Sequence, residues 1–308
     1  MESLHGIVTA MATPFVEGGR TVDEETLRRL LDRTIDDGVH GIVACASTGE
    51  FATMTVAERH QVVAITLEHV AGRVPVVVNT GAMSTAEAVE LSRDAERRGA
   101  AAVMPVAPYY DPLRANETFE YHAAIGSSID IPIVAYNHPE ATGVDLPPEF
   151  IARLGREIPN VRYVKNSSGS FLHLTQLLTR YSDDIQVLTG IDAFVLPGLE
   201  LGAVGCIVGA GTFLGAPLVS MFTAWTDGRY EDALGEWRSM LPTLELILEP
   251  TNFSYQAAVK AACRLTGLDI GAPRLPLREL GPEDESALLE ALRLVPAVEE
   301  RLSVAAPR

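Results

Sequence analysis

The segment VRYVKNSSGS, residues 161–170, ends a short apolar run on an amine, Lys165. A lysine at the edge of a core is either an ordinary side chain whose stem covers apolar surface or a nucleophile, and the run alone does not decide between them. Burial in an apolar setting favours the neutral amine, which is the nucleophilic form. The reaction that would use such an amine is imine formation with the carbonyl carbon of a 2-keto acid.

Hydroxyl groups follow three other apolar runs. CASTGEF places Ser47 and Thr48 before Gly49, PYYDP places Tyr109 and Tyr110, and AYNHP places Tyr136. A phenol beside the amine would move protons on and off the carbinolamine, a contribution of roughly 10² to 10⁴ in rate. Hydroxyls and backbone amides of residues 47–49 would hold a substrate carboxylate, since a loop leading into a helix N-terminus attracts anions. Each set also has a structural interpretation, as a helix cap, a surface turn and a core tyrosine respectively.

The spacing of the apolar runs indicates what positions these groups. Eight near-continuous apolar runs alternate with amphipathic stretches over roughly the first 225 residues, as in parallel strands covered on both faces. The predicted strands are residues 6–9, 41–44, 75–79, 102–105, 132–136, 161–165, 185–189 and 205–208. This is the count of an α/β fold of the (β/α)8 TIM barrel type, whose active site is built at the carboxyl ends of the strands. A doubly wound sheet is the alternative.

Capping signals mark the helices. A hydroxyl and a carboxylate three residues apart open three predicted helices, at Thr21 with Glu24, Thr55 with Glu58, and Ser84 with Glu87. From about residue 227 only helical periodicity remains, over residues 230–248, 255–265 and 282–298. The chain is therefore predicted to divide into a catalytic barrel domain, residues 1–226, and a C-terminal helical subdomain, residues 227–308.

Composition excludes several classes of function. With 24 Lys and Arg against 41 Asp and Glu, the net charge of −17 repels nucleic acid and anionic lipid. The scattered Cys45, Cys206 and Cys263 form no CxxC pair and are predicted to be buried thiols of a cytoplasmic protein. No signal peptide is expected. The uncharged segment 201–225 is long enough to cross a membrane, but its glycines and proline favour a strand, a loop and a buried helix.

Two cofactor hypotheses have weak support. GAGTFLG, residues 209–215, follows a strand as dinucleotide-binding loops do, but it lacks the GxGxxG spacing and comes in the last β/α unit, where small residues would allow close packing. A metal-dependent aldolase would need a ligand cluster, and His122, His138 and His173 form no tight pair. We therefore expect no metal and no cofactor other than the covalent imine.

The sequence resembles the dihydrodipicolinate synthase / N-acetylneuraminate lyase family of Schiff-base aldolases. The similarity covers nearly the whole chain through the motifs GIVTAMATPF, ASTGE, PYYDP, YNHPEATG, YVKNSSG, PTNFSYQAAVKAA and LDIGAPRLPL. The resemblance implies a TIM barrel, a lysine imine with a small-molecule 2-keto acid such as pyruvate, and a homotetramer built as a dimer of dimers.

The resemblance also implies a role for each candidate residue. Lys165 matches the imine-forming lysine and Tyr136 the acid–base tyrosine. Ser47 and Thr48 match the paired hydroxyls that bind carboxylate and relay protons, and Tyr110 matches a relay tyrosine that family members borrow from a neighbouring subunit. The residues that line the pyruvate pocket in the family fall at Gly190 and Ile207.

Three departures bear on the substrate. Dihydrodipicolinate synthases place an arginine in the loop after YN to grip the carboxylate of their aldehyde substrate, whereas this chain has Ala141, with Glu140 beside it. Alanine cannot form a bidentate carboxylate clamp. Asn166 and Ser167 are small, hydrogen-bonding residues that suit a hydroxylated chain. FSYQA, residues 253–257, replaces a short proline-containing turn, so the site entrance is expected to differ.

These features predict a Schiff-base lyase, an aldolase or dehydratase acting on pyruvate or a 2-keto(-3-deoxy sugar) acid. One alternative is 4-hydroxy-tetrahydrodipicolinate synthesis from pyruvate and aspartate semialdehyde, which Ala141 disfavours unless another basic residue substitutes. The other is a regulatory protein that kept the barrel and binds keto acids without turnover. Lys165, Tyr136 and Tyr110 disfavour the second alternative, because a sensor needs no imine-forming amine.

Overall fold

The structure, a computed structural model, describes residues 3–248 and 252–305 and contains a closed barrel of eight parallel strands. The strands are β1 (Gly6–Ala10), β2 (Phe15–Val16), β3 (Thr21–Val22), β4 (Gly41–Ala44), β5 (Val76–Val78), β6 (Ala102–Val103), β7 (Ile133–Asn137), β8 (Val161–Asn166), β9 (Gln186–Thr189) and β10 (Gly205–Val208). The order around the barrel is β1-β10-β9-β8-β7-β6-β5-β4, and β2 pairs with β3 as a separate antiparallel ribbon. The predicted TIM barrel is confirmed, with each of its strands within two residues of the expected ends.

Helices follow most of the barrel strands and continue beyond the last one. They are α1 (Glu24–Asp36), α2 (Val56–Val70), α3 (Thr85–Arg97), α4 (Ala115–Gly126), α5 (Pro139–Thr142), α6 (Pro148–Glu157), α7 (Phe171–Arg180), α8 (Val195–Glu200), α9 (Gly211–Thr226), α10 (Tyr230–Leu248), α11 (Tyr255–Leu265), α12 (Pro282–Leu292) and α13 (Pro296–Ala305). Every residue of β1, β4, β5, β7 and β10 is buried, as expected for parallel strands covered on both faces.

The chain divides into two compact units, one of Met1–His5 with Pro75–Val208 and the other of Gly6–Val74 with Gly209–Arg308. In the first unit, β5 to β10 pair in parallel in chain order. In the second unit, β1 pairs in parallel with β4. The division into a barrel domain and a helical subdomain at residue 226 stays a prediction.

The first of the three predicted capping boxes is wrong, and the other caps are confirmed. Thr21 lies in β3, and α1 is capped instead by Asp23, whose carboxylate accepts the Thr26 amide at 3.0 Å. Aspartate caps a helix as well as threonine does, and pairing with β2 has drawn Thr21 into a strand. The confirmed N-terminal caps are Thr55, in a full capping box with Glu58, and Ser84, which accepts the Glu87 amide.

The single helix predicted over residues 282–298 is two helices in the structure. Residues 282–298 form α12 and the start of α13, because Pro296 has no amide hydrogen to continue a helix and is instead the first residue of the next one. The uncharged segment 201–225 folds as β10, a short loop and α9, as expected. Across the residues that the structure describes, none of the helices combines the length and apolar character needed to cross a bilayer.

Two glycines inside helices give a matched test of the packing. A methyl group at Gly155 in α6 would overlap the carbonyl oxygen of Asp184, whereas one at Gly235 in α10 has no described atom within 4 Å. We expect Gly235→Ala to stabilise the fold by roughly 0.5–1 kcal/mol, because alanine loses less backbone entropy on folding. Gly155→Ala is expected to destabilise it by about 1–3 kcal/mol, because α6 must shift. Urea denaturation measures both, and equal effects would contradict the close packing of α6.

Candidate active site

The chain has two lysines, and their surroundings differ. Both are buried, with Lys165 4% and Lys260 1% exposed. The Nζ of Lys260 lies 2.9 Å from a carboxylate oxygen of Glu50, so this amine is half of an ion pair. The Nζ of Lys165 donates to the Tyr136 hydroxyl at 3.1 Å, and no carboxylate pairs with it among the described residues. Lys165 is therefore the amine available for nucleophilic chemistry.

The register of two strands brings the amine to the phenol. Tyr136 and Lys165 are the penultimate residues of β7 and β8 and lie opposite each other, so their side chains project from the same face. The Nζ of Lys165 is also 4.2 Å from the centre of the Tyr136 ring. A hydroxyl in direct contact with the amine can give and take the protons that imine formation requires. The structure thus brings these two predicted residues together.

Small residues occupy the next layer on the same face. The Ser167 hydroxyl donates to the Gly190 carbonyl at 3.2 Å, and a methyl group at Gly190 would overlap that hydroxyl. In the pairing of β10 with β9, Cys206 lies opposite Thr189, one residue before Ile207 and Gly190. Ser167 and Gly190 directly follow β8 and β9, and Ile207 lies in β10. Their roles in binding stay predictions.

Asn166 occupies a different position. Successive side chains of a strand point to opposite faces, so Asn166 projects away from the face that carries Lys165. Its amide oxygen accepts from the Asn137 amide at 3.0 Å, and the Asn137 oxygen accepts the backbone amide of Leu146 at 3.2 Å. The pair ties β7 to β8 and to the segment between α5 and α6. The predicted substrate contact of Asn166 is untested, and this geometry favours Ser167 over it.

His138 lies against the phenol. Its ring stacks on the Tyr136 ring with centres 5.4 Å apart and an interplanar angle of 24°. Burial, with a smaller contribution from the Lys165 amine, lowers the pKa of His138 to about 4, so the imidazole is neutral at pH 7. Sequence reasoning considered this histidine only as a metal ligand. No group of three or more metal-ligating side chains is found in residues 3–248 and 252–305.

The second unit carries the hydroxyl loop, residues 45–50, which follows β4. Two residues that are not glycine flank the hydroxyl pair in the left-handed conformation, Cys45 with φ 57° and Glu50 with φ 61°. Such residues persist only where their surroundings hold them. A methyl group at Gly49 would lie 2.8 Å from the carbonyl oxygen of Met11, so this close approach requires glycine. The loop is thus strained at both ends and closely packed.

The segment that departs from the family pattern, residues 253–257, contributes to the surroundings of the hydroxyl pair. A methyl group at Gly209 would lie 2.5 Å from the Tyr255 hydroxyl and 2.8 Å from the Thr48 hydroxyl, so these two groups flank one small space. The side-chain amide of Gln256 donates to the backbone carbonyl of Ser47 at 3.3 Å. Sequence reasoning noted the altered segment but not these contacts. Gly209 serves close packing here, as the alternative interpretation of GAGTFLG expected.

A buried ionic cluster fixes the end of the hydroxyl loop. One carboxylate oxygen of Glu50 pairs with Lys260, and the other accepts the backbone amide of Arg274 at 2.8 Å. The Arg274 guanidinium donates to both carboxylate oxygens of Glu58. Both cations also pack on the Phe15 ring, with Lys260 Nζ at 4.3 Å and the guanidinium carbon at 4.2 Å from its centre. Glu50 is therefore held in its strained conformation by charge.

The remaining candidates are the three cysteines, which are buried, and Tyr110, which is exposed. Cys45, Cys206 and Cys263 are buried thiols, as predicted, and form no disulfide bond among the described residues. Burial raises the pKa of Cys45 and Cys263 to about 12, which leaves these thiols protonated at neutral pH. Tyr110 is 84% exposed in a turn and makes no hydrogen bond or ring contact with any described residue. Its predicted relay role therefore depends on a neighbouring subunit and stays a prediction.

The ion pair can be tested by removing one charge. Lys260→Met keeps most of the side chain but leaves the Glu50 carboxylate buried without its cation, so we expect a loss of about 3–5 kcal/mol in the free energy of unfolding. Urea denaturation measures the loss. The matched variant that also carries Glu50→Gln removes both charges and should recover part of it. A single variant as stable as the wild type would contradict the role of the pair.

The hydrogen bonds between Arg274 and Glu58 predict that the free energy of unfolding depends on pH. Hydrogen bonds from Arg274 are the largest cause that lowers the pKa of Glu58 from its ordinary 4.5 to about 2. Because the pKa is lowered in the folded state, the contact stabilises fully above pH 4.5 and is lost as the pH falls toward 2. Glu58→Gln should therefore reduce the free energy of unfolding at pH 7, and the difference from wild type should shrink below pH 4.5. A difference independent of pH would contradict this assignment.

Comparison with known proteins gives matches over nearly the full chain. The model of the Dihydrodipicolinate synthetase family matches residues 3–294. The 4-hydroxy-tetrahydrodipicolinate synthases of Methanopyrus kandleri and Bacillus subtilis are 35% and 33% identical over 94% and 92% of this chain, and each is covered over 96% of its length.

Solved structures agree. Dihydrodipicolinate synthase from Aquifex aeolicus aligns with a TM-score of 0.88 and 31% identity over 94% of this chain and 97% of that one. YagE, a prophage protein of the dihydrodipicolinic acid synthase family from Escherichia coli K12, crystallised in complex with pyruvate, aligns with a TM-score of 0.89 and 27% identity over 94% and 98%. The resemblance noted in the sequence is confirmed, and the chain belongs to the dihydrodipicolinate synthetase family, whose members are lyases that use a lysine Schiff base.

Proposed function

We propose that this chain binds pyruvate or a related 2-keto acid as an imine on Lys165. The observation that carries the proposal is the buried contact of 3.1 Å between Lys165 and the Tyr136 hydroxyl. A proton-transfer group lies beside the amine, which has no carboxylate partner within the described part of the chain. The complex of YagE with pyruvate, in a relative of the same fold, supports the choice of keto acid.

The chemistry follows from this contact. The Lys165 amine attacks the ketone carbon, and the resulting carbinolamine loses water to form the imine. Tyr136 passes one proton from the attacking nitrogen to the carbinolamine oxygen and then donates its own proton to the departing hydroxyl. Water and a protonated imine are formed, and the Tyr136 phenolate takes up a proton from water. The protonated imine then withdraws electrons from the neighbouring carbon. That carbon can form or break its bond to an aldehyde carbon, or assist loss of a hydroxyl group, which makes the enzyme an aldolase or a dehydratase.

The carboxylate of the keto acid is assigned to Ser47 and Thr48 by their match to the family's motif. The buried hydroxyl of Thr48 and the fixed conformation of the loop support this assignment, because a site that is already ordered loses little entropy on binding. Ser167 and Gly190 are assigned to the space around the imine. No metal and no further cofactor enters the proposed reaction.

The second substrate is proposed to lack a carboxylate at the far end. Ala141 replaces the clamping arginine, and the neutral His138 in the same loop does not substitute for it. The carboxylate of Glu140 lies against the loop after β8, since a methyl group at Gly169 would be 3.5 Å from its oxygen. Like charges in one place disfavour a semialdehyde acid. We therefore place an aldehyde or keto acid with hydroxyl groups ahead of aspartate semialdehyde.

Synthesis of 4-hydroxy-tetrahydrodipicolinate is the second candidate, because relatives about 35% identical carry that name. The family resemblance also supports a tetramer, in which the exposed Tyr110 would serve a neighbouring subunit. The three buried thiols, which form no disulfide bond among the described residues, support a cytoplasmic location.

Tyr136→Phe tests the proton-transfer role. The ring is kept and the hydroxyl lost, so we expect pyruvate imine formation to slow by roughly 10² to 10⁴. The rate is measured by quenching mixtures of the protein and pyruvate with borohydride at intervals and determining the adduct by intact-protein mass spectrometry. Tyr163→Phe is the control, because its hydroxyl accepts the Leu4 amide at 3.1 Å and does not contact Lys165. Adduct formation at the wild-type rate in Tyr136→Phe would contradict the role.

A further inference from the structure

Three features fix the position of His138: a ring contact, the proline that follows it and two backbone hydrogen bonds. Its ring stacks on Tyr136, which contacts the reacting amine. The following Pro139 disfavours a helical backbone at His138, whose φ is −141° and ψ 72°. Its carbonyl accepts the backbone amides of Ala141 and Thr142, the first hydrogen bonds of the short helix α5. The imidazole is thus a fixed group beside the proposed imine.

The protonation of the ring follows from its two nitrogens. Nδ1 is enclosed and has no partner among the described residues, whereas the ring as a whole is only partly buried, so Nε2 is the nitrogen that a ligand can reach. Burial keeps the imidazole uncharged at neutral pH. An enclosed N–H without an acceptor is rarer in proteins than an enclosed acceptor without a donor. The proton of the neutral ring is therefore assigned to Nε2, which makes His138 an uncharged hydrogen-bond donor.

We propose that His138 is the specificity-determining residue for the second substrate, and that its Nε2–H donates to a hydroxyl oxygen of an uncharged polyhydroxy aldehyde or of the corresponding 2-keto sugar acid. This inference rests on the proposed function of Lys165. It names the group that recognises the part of the substrate beyond the keto acid.

The preference has a physical cause. A hydroxyl that meets one neutral donor exchanges a hydrogen bond with water for one with the protein at little cost. A carboxylate in the same place loses its hydration and meets no cation, because Ala141 has no charge and Glu140 repels it. The same donor therefore admits the hydroxyl and disfavours the carboxylate.

The test compares two aldehydes in each of three proteins. With saturating pyruvate, kcat/KM is measured for D-glyceraldehyde and for aspartate semialdehyde in the wild type, His138→Val and His138→Gln, and the 2-keto acid products are read by mass spectrometry. We expect the wild type to favour glyceraldehyde. His138→Val should lower the ratio of kcat/KM for glyceraldehyde to kcat/KM for aspartate semialdehyde by about tenfold or more. The cause is a higher KM for glyceraldehyde, since one hydrogen bond is lost.

His138→Gln is the matched control, because glutamine keeps an uncharged donor and should retain most of the preference. Using a ratio within one protein removes any effect that the substitution has on imine formation through the Tyr136 ring. An unchanged ratio in His138→Val would overturn the proposal. So would an equal loss for both aldehydes, a wild-type preference for aspartate semialdehyde, or no condensation of glyceraldehyde by a wild type that forms the pyruvate adduct.

Borohydride trapping of pyruvate on the same preparations separates this inference from the function on which it rests. A folded wild-type protein without a trapped adduct would contradict the imine function itself. A normal adduct together with an unchanged ratio would contradict the role of His138 alone.

Discussion

The parallel register of β7 and β8 is the constraint on which the proposed chemistry depends. It places Tyr136 opposite Lys165, so that a buried amine meets a phenol rather than a carboxylate. A one-residue slip would turn one of the two side chains to the opposite face and separate them. Because both strands are buried nearly throughout, such a slip would also force side chains of different size into one another's places in a close-packed core.

The second unit holds the polar groups of the hydroxyl loop, residues 45–50, in a strained backbone conformation. Buried ion pairs contribute little net stability, because desolvation offsets their attraction. The pair of Glu50 with Lys260, and the contact of Glu50 with the Arg274 amide, are better understood as fixing geometry. They hold a left-handed residue directly after Gly49. The two lysines of the chain thus have opposite surroundings, one fixed by a carboxylate and the other left to react.

The strands were predictable because burial leaves a continuous apolar pattern in the sequence, and Lys165 and Tyr136 were found because both stand at strand ends. The cap at Thr21 was wrong because two acceptable capping residues lie close together and only tertiary pairing chooses between them. The ionic cluster had no sequence signal, since Glu50 and Lys260 are 210 residues apart and a single charge in an apolar helix does not name its partner. His138 was missed for a related reason: its neutrality comes from burial, which no spacing reveals.

The imine on Lys165 is tested most directly by locating the amine that pyruvate modifies. The protein is treated with borohydride in the presence of pyruvate and digested, and the peptides are examined by mass spectrometry. The small number of lysines makes the result decisive, since the modified amine must be Lys165, Lys260 or the N-terminus. We expect a pyruvate-dependent adduct on the peptide that contains Lys165 and none on the peptide that contains Lys260. An adduct confined to Lys260 or the N-terminal amine, or no adduct on the folded protein, would contradict it.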